Sequence, residues 1–88
     1  MNNNPTQKLI LRKHEVIKTA GFSKSTLRNR ILSGLWPPSI SLGSRAVGFV
    51  KSECEAVIYA MIAEQTPEQI KALVQDLIAE RTANKGGV

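Results

Sequence analysis

The 88-residue chain has very little of what enzyme and metal chemistry usually requires. It holds one cysteine, Cys54, and one histidine, His14. An internal disulfide is therefore excluded, and a structural zinc site is short of ligands. No Ser/His/Asp, Cys/His or phosphate-loop pattern occurs. Glu53 and Glu55, at i and i+2, point to different sides of any helix that carries them, so they form no acid/base pair. No stretch approaches ~18 consecutive apolar residues, the length a membrane span needs. Met1-Asn2-Asn3-Asn4-Pro5 lacks the apolar core of a secretory signal. These absences lead us to expect a non-enzyme with no cofactor, metal or small-molecule substrate. It should have no membrane association and reside in the cytoplasm near the nucleoid. What is present is ordinary for a globular chain, 42% hydrophobic and 22% charged, with room for one domain and a short appendage.

Acidic residues are scarce in one half only. Residues 1–50 contain Lys8, Arg12, Lys13, Lys18, Lys24, Arg28, Arg30 and Arg45 against Glu15 alone, a balance of +7. Residues 51–88 contain Lys51, Lys71, Arg81 and Lys85 against six acids, a balance of −2. One half is built to face a polyanion and the other is not; solubility alone is the competing explanation.

Residues 1–11 read as a flexible arm ending in Leu9-Ile10-Leu11. Helical spacing begins near Lys13, with Val16, Ile17 and Ala20, and stops at Gly21. Phe22 is placed to staple the turn, and Ser23 to cap a second helix from Lys24 to about Ser33, stopped by Gly34. Leu27 and Ile31 face inward there, leaving Lys24, Ser25, Arg28, Asn29 and Arg30 outward, while Thr26 is open to either orientation. Trp36-Pro37-Pro38 cannot continue a helix, and Trp36 is expected to plug the core rather than stack on a base. Alternation at Ile40, Leu42, Val47 and Phe49 around Gly43-Ser44 predicts two short strands with Arg45 near their tip. A third helix is predicted from a capping box at Ser52 and Glu55, with Cys54, Val57, Ile58 and Met61 inward. Cys54 is thus a small buried hydrophobe, Tyr59 a partly exposed helix residue and His14 a solvated one. Thr66-Pro67-Glu68-Gln69 opens a last helix whose Ile70, Leu73, Val74, Leu77 and Ile78 form a full apolar stripe. Asn84-Lys85-Gly86-Gly87 marks its frayed end.

Helix, glycine turn, capped helix, β-ribbon, helix is the order of a winged helix-turn-helix. The second helix can enter the major groove and present its N-terminal residues to base edges, where arginine suits guanine and asparagine suits adenine. The helix N-terminus and the hydroxyls of Ser23 and Ser25 suit a phosphate. Ser44 and Arg45 sit where a wing meets the minor groove or its backbone; satisfying carbonyls of its own turn is the weaker, competing reading of Arg45.

Residues 12–62 also resemble the AlpA-type phage and genomic-island regulators, relatives of excisionase and MerR-type DNA-binding domains. The matching residues are Arg12, Glu15-Val16, the run Thr19 to Leu27, Gly34, Trp36-Pro37, the run Leu42 to Phe49, and Ser52-Glu53. The specific part is L-G-x-R-A-V-G-[FW] behind a W/F-P dipeptide, with Phe49 standing where tryptophan is common. The resemblance implies small DNA-binding proteins that activate integrase genes or act as excision directionality factors that bend attachment-site DNA.

The expectation is a mainly α fold: a winged helix-turn-helix over residues 12–63 with a two-stranded wing, an added amphipathic helix over 66–83, and a disordered tail over 84–88. The expected partner is double-stranded DNA, contacted by Ser23, Lys24, Ser25, Thr26, Arg28, Asn29, Arg30, Ser44 and Arg45. The stripe within residues 67–82 must be covered, by this domain, by a second copy in a homodimer or cooperative oligomer, or by another protein. The last case would make the chain an adaptor or anti-repressor.

Overall fold

The computed structural model describes residues 8–86, with side chains described through Thr82. The elements run β1 (Ile10–Leu11), α1 (Lys13–Ala20), α2 (Lys24–Leu32), β2 (Ile40–Ser41), β3 (Val47–Val50), α3 (Lys51–Ile62) and α4 (Pro67–Gly86). This is a winged helix-turn-helix with a three-stranded antiparallel sheet of order β1-β3-β2.

The turn between α1 and α2 follows from local chemistry. Gly21 takes φ 77°, a left-handed backbone that a side chain would resist. Its amide and that of Phe22 both donate to the Ile17 carbonyl, at 2.9 and 3.2 Å, which closes α1. Two residues later the Ser23 hydroxyl accepts the Thr26 amide at 3.1 Å and α2 begins. At the start of α1 the Glu15 carboxylate accepts the Arg12 amide at 2.8 Å. That is one half of a capping box, since an arginine side chain has no acceptor to return the bond. Of the two later caps expected from sequence, only the second forms. Thr66 and Gln69 exchange bonds as predicted, the Thr66 amide donating to Gln69 Oε1 at 2.9 Å and the Gln69 amide to Thr66 Oγ1 at 3.1 Å. Ser52 does not cap α3. The chain passes from β3 straight into the helix, with Val50 at the N-cap and no side-chain bond there.

The first eleven residues are not an arm throughout. Ile10 and Leu11 pair with Val50 and Phe49 as β1, and the Lys51 amide donates to the Leu9 carbonyl at 2.8 Å. Leu11 is thereby drawn into the core, which explains why an apolar triplet ends this segment. Residues 1–7 lie outside the described residues. The ribbon β2–β3 therefore has a third strand at its base. At the other end of the chain, α4 continues through Gly86, beyond the stop expected near residue 83, so residues 84–86 of the expected tail are helical and Gly87-Val88 lie outside the described residues.

The core joins every element except β2: Leu11, Val16, Leu27, Trp36, Phe49, Cys54, Val57, Ala60, Ile70 and Val74 are all buried. Trp36 is fully enclosed and meets Phe22 edge-on, with ring centroids 5.2 Å apart. Ile70 and Val74 bring α4 down onto α3 within the same chain. Each such fully buried aliphatic side chain stabilises the fold by about 1.5–3 kcal/mol. The cover for the apolar stripe is thus intramolecular.

Candidate nucleic-acid interface

The two elements a duplex would meet are α2 and the β2–β3 wing, and their arrangement follows from what each buries. Leu27 turns fully into the core and Ile31, one turn on, is half-buried. Helical spacing then puts Ser25 and Asn29 on the opposite, exposed face, with Lys24 and Arg28 along the flank nearest the wing. The wing is held by the pairing of Ile40 with Gly48 and Ser41 with Val47, and its turn is closed by the Leu42 amide donating to the Ala46 carbonyl at 2.8 Å. Leu42 through Arg45 are exposed at its end.

Between α2 and the wing runs a groove of about 180 Å³, lined by Lys13, Leu27, Arg28, Ile31, Ser39, Val47 and Phe49. Its buried members form an apolar floor, while Lys13, Arg28 and Ser39 supply polar walls. Cations from two helices therefore converge beside the wing. Lys13 and Val47 were not among the residues expected to bind DNA. Lys13 stood only as a basic residue at the start of the first helix, and Val47 only as an apolar strand residue within the family pattern, yet Val47 is 46% exposed. Leu32, 73% exposed, shares the outward face with Ser25 and Asn29 and was also missed. Its spacing from Ser25, i to i+7, was the available signal.

Of the residues expected at the interface, Ser23, Lys24, Ser25, Thr26, Arg28, Asn29, Ser44 and Arg45 are exposed. Ser23 and Thr26 are partly committed to the fold. The Ser23 hydroxyl takes the Thr26 amide, donates to Thr26 Oγ1 at 2.9 Å and lies 3.2 Å from Ser25 Oγ. This leaves the first two amides of α2 directed out of the helix, where an anion is best accommodated.

Arg30 does not point away as expected. Its guanidinium lies 5.3 Å from the centre of the Phe22 ring, donates to the Leu35 carbonyl at 3.3 Å and approaches Met61 Sδ at 3.5 Å. Burial of the charge holds its pKa below the usual arginine value. Arg30 therefore braces the turn after α2 and is set aside as a DNA contact. Glu15, the only acid before residue 53, has its carboxylate pKa lowered chiefly by the Arg12 amide and then by Lys8, with which it is ion-paired. Cys54 is 2% exposed, and burial, reinforced by Glu53 and Glu55, pushes its thiol up to about 12. It stays a neutral core side chain, as its place on the apolar stripe implied. Among the described residues no three His, Cys, Asp or Glu side chains gather as a metal site, and no helix is long and apolar enough to cross a membrane.

Residues 9–60 match the protein family described as Prophage CP4-57 regulatory protein (AlpA). A relative from Enterobacteria phage P4, "Uncharacterized protein ORF88", is 40% identical over 58 residues, covering 66% of this chain and 66% of the relative. No solved structure matches. The matched span takes in β1, α1, α2, the wing and most of α3, and leaves out α4.

Proposed function

The chain belongs to the AlpA family of prophage regulatory proteins, and on that premise we propose that it is a sequence-specific DNA-binding regulator of a prophage or integrated mobile element. It contacts the major groove through α2 and the adjoining minor groove or backbone through the wing. The observation that carries this reading is the groove in which Lys13 and Arg28 converge beside Val47 of the wing. A duplex seated on α2 then meets positive charge from α1, from α2 and, at Arg45, from the wing tip. Arg28 and Asn29 are the base readers, with the bidentate geometry for guanine and adenine respectively. Lys24 and Ser25 join the open amides of α2 on a phosphate.

The regulatory role follows from the family: activation of integrase or excision genes, or bending of the attachment site so that recombination runs toward excision. Both need the same groove contacts. An adaptor or anti-repressor working through the last helix has less support, because that role needs its apolar stripe open. Ile70 and Val74 are instead buried within this chain.

The test begins by selecting a preferred duplex from random sequence and measuring affinity by fluorescence anisotropy. Arg28→Ala is expected to lose about 1–3 kcal/mol on the preferred site, roughly 5- to 150-fold. On random duplex it should lose far less. If affinity and sequence preference both survive the substitution, α2 is not the reading element.

A further inference from the structure

The helix that lies beyond the family match has no part in the DNA face described above, yet one of its side chains reaches the base of the wing from both sides. The wing spans residues 40–50. Pro38 precedes its first strand, and Glu53 follows its second on the opening turn of α3. Arg81, from α4, touches both. Its Nη2 donates to Glu53 Oε1 at 2.5 Å and to the Pro38 carbonyl at 2.8 Å, while Nε donates to Glu53 Oε2 at 2.7 Å. Glu53 is 5% exposed, the only buried charged residue among those described. Its hydrogen bond to Arg81 holds the guanidinium pKa above the usual arginine value. One turn before Arg81, Leu77 lines the same cleft of about 360 Å³ as Ile40 and Val50, the first residue of β2 and the last of β3.

A planar guanidinium that grips a carboxylate with two donors has its direction fixed, unlike a lysine ammonium. Spending this fork on the wing's two roots has a mechanical consequence. A two-stranded ribbon holds no orientation of its own and takes one only from what its base is packed against. Here the base has β1 on one edge and the Arg81 bridge at its ends. We propose that Arg81 is a positioning residue for DNA binding. By tying Pro38 to Glu53 it sets the angle at which the wing presents Ser44 and Arg45 to the duplex, and α4 is a brace for the wing. This rests on the function proposed above.

Arg81→Met alone strands the Glu53 charge in the interior and invites unfolding. The informative variant is therefore Glu53→Met with Arg81→Met, which removes the bridge, leaves no orphan charge and keeps the volume. Two measurements decide. In the free full-length protein, amide exchange across the wing, at Leu42 and through Val47–Val50, should accelerate at least tenfold while α1 and α2 keep their protection. On the preferred duplex, affinity should fall about tenfold and the log–log salt slope should lose about 0.9, one cation's share. In an Arg45→Ala background the same pair of substitutions should then cost less than twofold. Exchange that is unchanged in the wing, or faster throughout the molecule, overturns the brace. So does an equal loss of affinity with and without Arg45. A wild-type protein that binds no duplex overturns the proposed function instead, and the exchange pattern then judges the brace by itself.

Discussion

A methyl group added at Gly48 has no space to occupy. A Cβ there would collide with Ile10 Cγ2 from β1, lie 2.9 Å from Leu42 Cδ1 and reach 3.4 Å from the Leu11 carbonyl. Gly48 is the glycine before Phe49 in the pattern that marks the family, so the structure supplies a reason for it: the edge strand and the wing's own Leu42 cross over this one residue. Gly48→Ala is expected to cost about 1–3 kcal/mol through overpacking. For a domain of this size the melting temperature should fall by about 4–8 °C per kcal/mol. Ser44→Ala, at the exposed end of the same ribbon, should leave it unchanged. Equal melting temperatures for Gly48→Ala and wild type would mean that β1 does not cross the wing. Single residues were legible in sequence where a local pattern decides burial: Leu27 and Cys54 from helical spacing, Trp36 from its place between a helix stop and two prolines. They were illegible where a distant segment decides. Nothing near Gly48 announces Ile10, and nothing near Arg30 shows that Phe22 and Leu35 will claim its guanidinium.

At the scale of elements, helix ends signalled by a residue's own chemistry were legible, and those decided by tertiary context were not. Gly21, Ser23 and the Thr66/Gln69 pair each act as expected. The start of α3 differs from the expected cap because β3 runs directly into the helix with Val50 at the N-cap, and Ser52 is an ordinary first-turn residue. β1 was missed because two residues carry no periodicity of their own; only pairing with Phe49 and Val50 makes them a strand. The end of α3 carries a local conflict. Glu64 holds φ 58°, with its amide bonded to the Met61 carbonyl at 2.9 Å and that of Gln65 to the Ala60 carbonyl at 3.1 Å. This is the helix stop at which glycine is usual. Glu64→Gly should relieve about 1–2 kcal/mol of left-handed strain and give back about 0.5–1 kcal/mol in chain entropy. A net gain of about 0.5–1 kcal/mol is expected, read as a higher urea midpoint with unchanged slope. A lower midpoint would show that the glutamate is not strained there. DNA affinity should not move, since Glu64 lies on the joint between α3 and α4, away from α2 and the wing.

For the whole molecule, the charge division seen in the sequence becomes a division in space. Arg12, Lys13, Lys18, Lys24, Arg28 and Arg45 are all exposed, and Glu15, the one acid before residue 50, is already paired with Lys8. The exposed acids Glu55, Glu64, Glu68, Asp76 and Glu80 belong to α3, α4 and the joint between them. Such a molecule approaches a polyanion with its helix-turn-helix side leading. The folded body measures 35 × 31 × 31 Å, comparable with one turn of B-DNA at ~34 Å. If its basic side neutralises about five phosphates, the plot of log affinity against log salt has a slope near −4.5, since each phosphate contributes about −0.9. Two substitutions separate the terms within that slope. Lys13→Ala, on the groove wall but off the reading face of α2, should reduce its magnitude by about 0.9 and weaken preferred and random duplex alike. Arg28→Ala should fall mainly on the preferred site. A slope near zero would mean that the exposed cations meet no phosphates and serve only solubility. The interface would then have to be sought among the exposed apolar residues of α3, Tyr59 and Ile62, and at Leu9 just before β1.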